Sequence, residues 1–599
     1  MQTPRAFPTL ASILFLFFIS TNGWAQGRGT GSRGSSTSSN GSNTVARPDA
    51  TGAPTNVDPV PMNNANDEGK IEFRTQSILV QVPVVITDKA GNHVHGLTKA
   101  DFHVFENGKE QPVSVFEELT ATSGKIAAPA SAPGEFRNLT ISEDKPRTVT
   151  VIALDTVNTP FLDQAVGRRE LVKYLANTLD SSQVYALMII SSNGLRIVHG
   201  LTGDPNELLE ALKKVGSETP ATAGLSEDVQ GDIGAGGIPD VPKLQPGQSP
   251  EIAMEQFVEH GDAVTGAFVQ QNAIETTLNG FRGIAWALSG VPGRKSLIWA
   301  TGGFPFQIYS PNSVPGGYLS TLYERTMEAL MQAQISVYPV DVRGLVNGNV
   351  MPDARRHPSP YVGQVPTNRQ MMNRTWLQDY TTETLDDFAQ MTGGKAFYNT
   401  NDLATSFKRA AEDASSYYVV GYYLDTHNNH SGWRQLKVKV DKDVEVRARK
   451  GFFVTNATIH MDLTRASDIS YALTSPIEGT GVPVDVRWSG ISGTGATKKA
   501  GFVVALPPNG ITLEGPNKIN FDFAVAAYAV SSKDGKPATE MGKTFAAQVT
   551  DAQVATIRSR GVGFNYDLDL APGQYAVRFV VRDNFTGKMG SVTAPLTVN

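Results

Sequence analysis

The chain has 599 residues, of which 40% are hydrophobic and 18% are charged, and it contains no cysteine. The lack of cysteine excludes a disulfide scaffold, cysteine-ligated zinc, iron–sulfur clusters, thiol catalysis and lipidation of an N-terminal cysteine. With 52 basic and 58 acidic residues the formal net charge is −6. Because no basic block stands out, nucleic acid is not an expected partner.

The first 25 residues have the pattern of a signal peptide. Arg5 supplies a positive charge, the stretch from Leu10 to Ile19 is apolar, and the small residues Gly23 and Ala25 precede the predicted cleavage site. A membrane-spanning helix needs about 20 apolar residues, so this run is too short, and an uncleaved anchor is the alternative. We expect cleavage after Ala25, no membrane span in the mature chain, and a secreted, periplasmic or cell-surface location.

Two short regions follow the signal peptide. Residues 26–69 are rich in Gly, Ser, Thr, Asn and Pro, and this composition predicts a disordered linker. Residues 70–120 are predicted to form a small β module. In this module Thr98 is positioned to cap a short helical turn, and Asn107-Gly108 indicates a hairpin.

From residue 145 to residue 455 the patterns of strands and helices alternate, which predicts a mostly parallel, doubly wound sheet with helices on both faces. The predicted strands are Arg147–Leu154, Val184–Ile190, Leu195–Val198, Lys295–Thr301, Ile335–Val342 and Lys395–Tyr398. The predicted helices are Phe161–Leu179, Asp204–Val215, Ala267–Leu288, Leu319–Gln334, Trp376–Met391 and Leu403–Ala414. Two Gly/Pro-rich insertions, near 216–262 and 346–372, are expected on the surface.

After Ser416 the pattern changes to strands, and residues 458–599 alternate with a period of two between Gly, Asp, Asn and Pro turns. This spacing predicts a C-terminal antiparallel β-sandwich of immunoglobulin-like type.

Several stretches before the C-terminal region together resemble a known family. They are VPVVITDKAGNHVHGLTKADFHVFENGKEQPVSVF, VIALDTVNTPFLDQ, VPGRKSLIWATGGFP, ISVYPVDVRG and LDDFAQMTGGKAFYNTNDLATSFKRAAEDASSYYVVGYYLD. From Ile71 to Val454 the chain resembles the von Willebrand factor A-type fold, specifically the bacterial secreted "VWFA-related" proteins of acidobacteria type. The resemblance implies a doubly wound sheet that bears a metal-ion-dependent adhesion site, and it implies no catalysis.

In that family the loop after the first strand reads Asp-x-Ser-x-Ser and holds Mg²⁺ or Ca²⁺ above the carboxyl ends of the strands. Carboxylate and hydroxyl oxygens suit both ions. Here residues 155–159 read Asp-Thr-Val-Asn-Thr. Asp155 matches the family pattern and Thr159 can stand for the second Ser, but Val157 cannot be a ligand.

A Thr and an Asp from later loops complete the family's site. Thr277 is the nearest candidate for the Thr, but Thr301 and two glycines stand where the Asp is expected. The resemblance therefore implies a degenerate, weak Mg²⁺ or Ca²⁺ site whose ligands are Asp155, Asn158, Thr159 and Thr277. Asp341 is a further candidate ligand. The alternative is that Asp155 and Asn158 cap the following helix or tie the loop by hydrogen bonds.

Other constellations give weaker signals. His93, His95 and His103 lie close in sequence and imidazoles can bind zinc, but they flank a turn without a carboxylate pattern and are expected to be exposed polar residues. No Gly-x-Ser-x-Gly, His-Glu-x-x-His, P-loop or dinucleotide fingerprint occurs. The sequence therefore offers no catalytic motif.

We expect an exported, non-catalytic adhesion or protein-interaction protein. Its partner would be a protein or an envelope component, bound by the loops after Asp155, Ser191 and Gly303. One alternative is a structural component of the cell envelope without a metal site. A metal-dependent hydrolase is less favoured, because no base or nucleophile motif accompanies Asp155.

Overall fold

The computed structural model describes residues 78–120, 134–138, 149–178, 183–221, 249–304, 317–345, 381–413, 415–424, 432–454, 457–475, 477–515, 517–532 and 535–599. The predicted signal peptide (1–25), the predicted linker (26–69) and the second predicted insertion (346–372) lie outside these residues.

The strands of the described residues are β1 (Ile78–Thr87), β2 (Phe102–Glu106), β3 (Lys109–Gln111), β4 (Val115–Thr120), β5 (Glu135–Arg137), β6 (Val149–Asp155), β7 (Val184–Ser191), β8 (Gly194–Thr202), β9 (Lys295–Thr301), β10 (Ile335–Asp341), β11 (Ser416–Leu424), β12 (Gly432–Val440), β13 (Glu445–Arg447), β14 (Gly451–Val454), β15 (Asp485–Ser492), β16 (Lys498–Leu506), β17 (Lys518–Ala529), β18 (Thr539–Gln548), β19 (Val562–Leu570), β20 (Gly573–Asp583) and β21 (Met589–Val598). The helices are α1 (Phe161–Thr178), α2 (Pro205–Lys213), α3 (Pro250–Leu288), α4 (Gly317–Gln332), α5 (381–392), α6 (Leu403–Glu412), α7 (Ala457–Thr474) and α8 (Asp551–Arg560).

Five strands form the central sheet, in the order β10-β9-β6-β7-β8. The first four are parallel to one another, and β8 is antiparallel to β7 at one edge. All residues of the four parallel strands are buried, which is why they read as continuous apolar runs. The mixed α/β architecture is confirmed, but the predicted strand Lys395–Tyr398 is reduced to one bridge between Phe397 and Val340.

Helices cover both faces of the central sheet. Alternate residues of a strand point to opposite faces, so in β6 Val151 packs in the core shared with α3, α4 and α5, and Ile152 in the core shared with α1, α2 and α6. Burying one such aliphatic side chain contributes about 1.5–3 kcal/mol. The loops at the carboxyl ends of these strands therefore rest on a firmly packed base.

Helix α2 begins where its sequence predicts, whereas α3 begins earlier than predicted. As predicted, α2 begins with Pro205 in its first turn, and the Asp204 side chain accepts a hydrogen bond of 2.8 Å from Asn206 N. In contrast, α3 has 39 residues and begins at Pro250, not at Ala267. Part of the first predicted insertion is therefore helical.

The strands of residues 78–120 do not form a sheet by themselves. β1 pairs with β11 and β13, β4 pairs with β11, and β2 pairs with β12, all antiparallel. Within the segment β2 pairs with β3 around Asn107-Gly108, both at positive φ, as the hairpin signal predicted. The predicted small β module therefore shares its two sheets with strands that follow α6.

Two antiparallel sheets, β19-β16-β15-β5 and β18-β17-β20-β21, enclose one apolar core. All their strands except β5 belong to the C-terminal region, and β5 (Glu135–Arg137) joins them by pairing with β15. The period-two pattern predicted strands only, whereas the structure also contains the helices α7 and α8. In α7, Ile469, Ala472 and Leu473 pack on the outer face of the second sheet, at the i, i+3, i+4 spacing of a helix. In α8, Thr550 and Gln553 form a capping box. The immunoglobulin-like type of this region stays a prediction.

The C-terminal sheets are fixed to the central unit through the end of α3. The Thr480 hydroxyl donates to the Ala287 carbonyl at 2.7 Å and accepts from the Gly290 N–H at 2.9 Å. The Trp286 ring packs so closely on Gly479 that a Cβ there would lie 2.1 Å from a ring atom. This region is therefore docked on α3 by direct contacts.

Candidate functional site

The carboxyl ends of the parallel strands form one edge of the central sheet. β6 ends at Asp155, β7 at Ser191, β9 at Thr301 and β10 at Asp341. In the register of the sheet Asp341 lies beside Thr301, and Asp155 lies beside Ile190 on β7. Open α/β sheets bind their ligands at this edge, so its side chains are the candidate site.

Asp155 is the central polar residue of this edge and is only 2% exposed. Its Oδ1 accepts a hydrogen bond from Asn158 N at 3.0 Å. Its Oδ2 accepts from Asn158 Nδ2 at 2.8 Å, Trp299 Nε1 at 3.0 Å and Thr301 Oγ1 at 2.9 Å. Burial raises the pKa of Asp155 above its ordinary value, and these hydrogen bonds counteract part of the rise.

The indole donor to Asp155 is held in place by its neighbours. Trp299 is fully buried, and its ring lies against Phe281 at a centroid distance of 5.0 Å and against Phe304 and Phe388 at 5.5 Å each. This donor is not among the site residues predicted from the sequence. A signal was present, because a tryptophan inside a buried strand needs an acceptor for its N–H.

The structure brings three of the predicted ligands into direct contact. Asn158 Nδ2 lies 2.8 Å from Asp155 Oδ2 and also 2.8 Å from Thr277 Oγ1. Thr277 is fully buried in α3, and its hydroxyl donates to the Ala273 carbonyl at 3.0 Å. Asn158 therefore joins the loop after β6 to α3.

Thr159, the fourth predicted ligand, serves another contact. Its hydroxyl accepts the Gly302 N–H at 2.8 Å, and its carbonyl accepts from Gln164 Nε2 at 2.9 Å. A Cβ at Gly302 would lie 2.9 Å from Thr159 Cα and 2.8 Å from Pro160 Cδ. The loops after β6 and β9 thus pack backbone to backbone, which requires a glycine at this position.

These residues do not fit a divalent cation in the arrangement they adopt. Mg²⁺ and Ca²⁺ need six or more oxygen ligands with free lone pairs, whereas the Asp155 carboxylate already accepts three hydrogen bonds on Oδ2 and one on Oδ1, which occupy most of its roughly four lone-pair sites. Val157 is 1% exposed and belongs to the apolar core. Within the described ranges no group of three or more His, Asp or Glu side chains could hold a metal. The metal site stays a prediction.

Asp341, the further candidate ligand, is engaged by its own neighbour. Arg343 donates through Nε to Oδ1 at 2.9 Å and through Nη2 to Oδ2 at 2.7 Å. The Arg343 backbone N–H adds a third bond, to Oδ1, at 3.0 Å. A bidentate guanidinium neutralises the carboxylate it binds, so Asp341 adds no free negative charge to this edge.

Four large apolar side chains of the described residues are exposed at or beyond this edge. Phe161 and Leu162, the first residues of α1, are each 55% exposed, and Leu345, four residues after the end of β10, is 57% exposed. Phe268 in α3 is 71% exposed. It precedes Thr277 by nine residues, about 14 Å along the helix, and therefore lies beyond the edge. None of these four residues is among those predicted from the sequence.

The three predicted polar histidines contact different groups. His93 lies against a backbone carbonyl and His95 against a glutamate. The ring of His103 lies between Glu110, at 2.7 Å from Nδ1, and Asp441, at 3.2 Å from Nε2. Hydrogen bonds to these carboxylates raise the pKa of His103. The three rings do not converge on one site.

No protein-family model matches the chain, and no curated protein matches it. Several solved structures are similar to parts of it, among them the following two. The VWA domain of SpRpn10 is 12% identical, with 32% of this chain and 74% of that chain covered and a TM-score of 0.15. The N-terminal domain of TFIIH p34 is 9% identical, with 44% and 96% covered and a TM-score of 0.17. At these TM-scores neither likeness carries a conclusion about function.

Proposed function

We propose that the protein is a non-catalytic interaction protein that binds a partner protein at the carboxyl edge of the central sheet. The observation that carries this proposal is the exposure of Phe161, Leu162, Leu345 and Phe268 at or beyond that edge. Single exposed apolar residues are common on protein surfaces. Four large ones near the ligand-binding edge of an open α/β sheet favour a protein contact, because aromatic and large apolar residues dominate the energetic centres of interfaces.

Two of these side chains follow a loop that is held by hydrogen bonds, which favours binding. Phe161 and Leu162 follow directly on the loop that Asp155, Asn158 and Gln164 fix by hydrogen bonds. A contact residue that is already ordered loses little conformational entropy when the partner binds. Binding residues are commonly placed on loops held by such a scaffold.

The absence of catalysis is part of the proposal. A general base or nucleophile must reach a substrate atom within hydrogen-bonding distance. The Asp155 carboxylate is buried under four donors, and Asp341 is held by Arg343. Neither carboxylate at this edge presents a free oxygen atom to a substrate.

Export is also proposed, on the basis of the sequence pattern of residues 1–25, and adhesion on the basis of the proposed protein contact at the carboxyl edge. In the part of the chain that the structure describes, no helix has the length and apolar character to cross a membrane. The mass of the chain recovered from the producing cells tests the export proposal. We expect a chain that begins at Gln26, and a chain that retains its first 25 residues would contradict cleavage.

Site-specific photo-crosslinking tests the proposed binding edge. A photoreactive phenylalanine analogue is placed at Phe161 or at Leu345, and as a control at Val530, which is 65% exposed in the C-terminal region. We expect one partner to be crosslinked from both edge positions and not from Val530. Equal crosslinking from all three positions, or none from the edge, would contradict the proposal.

Substitution of the same residues gives an affinity readout for the crosslinked partner. Phe161→Ser and Leu345→Ser should each weaken binding about tenfold or more, because truncating an interface hot spot costs about 2 kcal/mol or more and 1.4 kcal/mol is a factor of ten. Val530→Ser should leave the affinity unchanged. If the chain instead stays with the envelope fraction regardless of these variants, a structural envelope component is the better description.

A further inference from the structure

We propose that the side-chain amide of Asn158 takes the place of a divalent cation at the carboxyl edge of the central sheet, so that this edge is closed and ordered without a metal. The inference rests on the hydrogen bonds around Asp155 and holds whether or not the edge binds a partner.

The amide nitrogen of Asn158 bridges two oxygen atoms that would otherwise be cation ligands. Nδ2 lies 2.8 Å from Asp155 Oδ2 and 2.8 Å from Thr277 Oγ1. A carboxylate that has lost its proton can only accept hydrogen bonds, so the nitrogen and not the oxygen of the amide must face Asp155. The two N–H protons then serve one oxygen each, and both donors of the amide are satisfied.

Asp155 Oδ2 accepts two further hydrogen bonds, both from residues of β9. The indole N–H of Trp299 lies 3.0 Å away and the Thr301 hydroxyl 2.9 Å away. Trp299 is locked by the surrounding aromatic rings. A cation bound to Oδ2 would face the positive end of this N–H dipole, which opposes its binding.

The other residues of the loop add no ligand that would compensate. Val157 is buried in the apolar core, and the Thr159 hydroxyl accepts the Gly302 N–H. The loop after β9 packs directly on residues 159 and 160, so the two loops are in close contact beside the hydrogen bonds of Asp155. Asn158 thus supplies partial positive charge to Asp155 and Thr277 and orders the loop in a single arrangement.

Two consequences follow for the behaviour of the folded chain. Divalent cations and chelators should change neither its stability nor the order of the loop after β6. In contrast, replacing the donor amide by a carboxylate should create a cluster of oxygen ligands from Asp155, residue 158 and Thr277, whose like charges need a cation.

The test compares the full chain with Asn158→Asp. Melting temperatures are recorded with EDTA and with millimolar Mg²⁺, Ca²⁺ or Mn²⁺, and binding heats are measured by calorimetric titration of each metal. We expect the wild-type melting temperature to be the same in all solutions and no binding heat. We expect Asn158→Asp to melt several degrees lower in EDTA and to recover part of this loss in Mn²⁺. Asn193→Asp, at an exposed position in the turn after β7, is the matched control and should show no metal response.

Two results would overturn the proposal. Saturable metal binding that raises the wild-type melting temperature and is lost in Thr277→Val would show that the site takes a cation. A folded Asn158→Asp variant without any metal response would show that the amide does not occupy a cation position. If Asn158→Asp does not fold, Asn158→Ser replaces the amide by a smaller hydroxyl. A gain of metal-dependent stability in Asn158→Ser supports the proposal, and its absence counts against it.

Discussion

Replacing Lys295 by methionine is expected to stabilise the folded chain at neutral pH. Lys295 is the first residue of β9 and is 2% exposed, and its Nζ donates a hydrogen bond to the Val291 carbonyl at 2.5 Å. Burial lowers the pKa of Lys295 from 10.5 to about 7, because an ammonium group loses its hydration inside the protein.

The size of the effect follows from this pKa change. The pKa of Lys295 falls from 10.5 to about 7, and one pKa unit corresponds to about 1.4 kcal/mol. The buried amine therefore lowers the free energy of unfolding by up to about 5 kcal/mol at and below pH 7. Methionine fills a similar volume without an amine, but it forfeits the bond to Val291, worth about 1 kcal/mol. The free energy of unfolding of Lys295→Met should therefore exceed that of the wild type by roughly 2–5 kcal/mol.

The stabilisation should depend on pH with a defined sign. Between pH 7 and 10.5 the unfolded chain keeps the proton of Lys295 while the folded chain has released it. Wild-type stability therefore rises with pH in this window by up to about 1.4 kcal/mol per unit. Lys295→Met lacks this contribution, so the difference between the two proteins should shrink as the pH approaches 10.5.

Urea unfolding followed by tryptophan fluorescence, at several pH values between 7 and 10.5, measures this difference. Lys437→Met removes an exposed strand lysine and should leave the free energy of unfolding near that of the wild type. The reasoning would be refuted if Lys295→Met destabilised the chain at pH 7, or if the difference from the wild type stayed constant over the whole range.

Three further predictions concern other contacts. Trp299→Phe keeps a ring but removes the indole donor to Asp155, and it should lower the free energy of unfolding by about 1.5–3 kcal/mol in urea titrations. Gly290→Ala would place a Cβ 1.8 Å from the Thr480 carbonyl oxygen, so limited proteolysis should cut between the central unit and the C-terminal sheets more readily. His103→Gln should reduce stability below pH 6.5, where the raised pKa keeps the imidazole charged between two carboxylates, and the difference should vanish as the pH rises through that pKa.

Two of these predictions have a matched control variant, and the third has a defined contradicting outcome. Trp433→Phe changes a partly exposed indole and should cost less than Trp299→Phe. Gly200→Ala adds a Cβ with nothing within 4 Å and should leave proteolysis unchanged. A loss of stability in His103→Gln that is equal at all pH values would contradict the charged-imidazole explanation.

Local sequence signals predicted the central unit well. The buried parallel strands were recognised as continuous apolar runs, and Asp204-Pro205 and Asn107-Gly108 fixed a helix start and a hairpin. These features depend on neighbouring residues only, so a single sequence reveals them. The same reasoning predicted strands where α7 lies, because the surrounding sequence alternates with a period of two. The helical spacing of Ile469, Ala472 and Leu473 was present but was not recognised.

The sequence by itself determined an acidic, cysteine-free chain with an alternating α/β middle region, and it placed Asp155 at the end of a buried strand. Only the tertiary structure decided that residues 78–120 pair with strands that follow α6, because hydrogen bonding between distant strands leaves no local pattern. It also decided the state of the candidate site. Whether Asp155 faces a cation or a donor depends on Asn158, Trp299 and Thr277, which three different elements of the fold bring together.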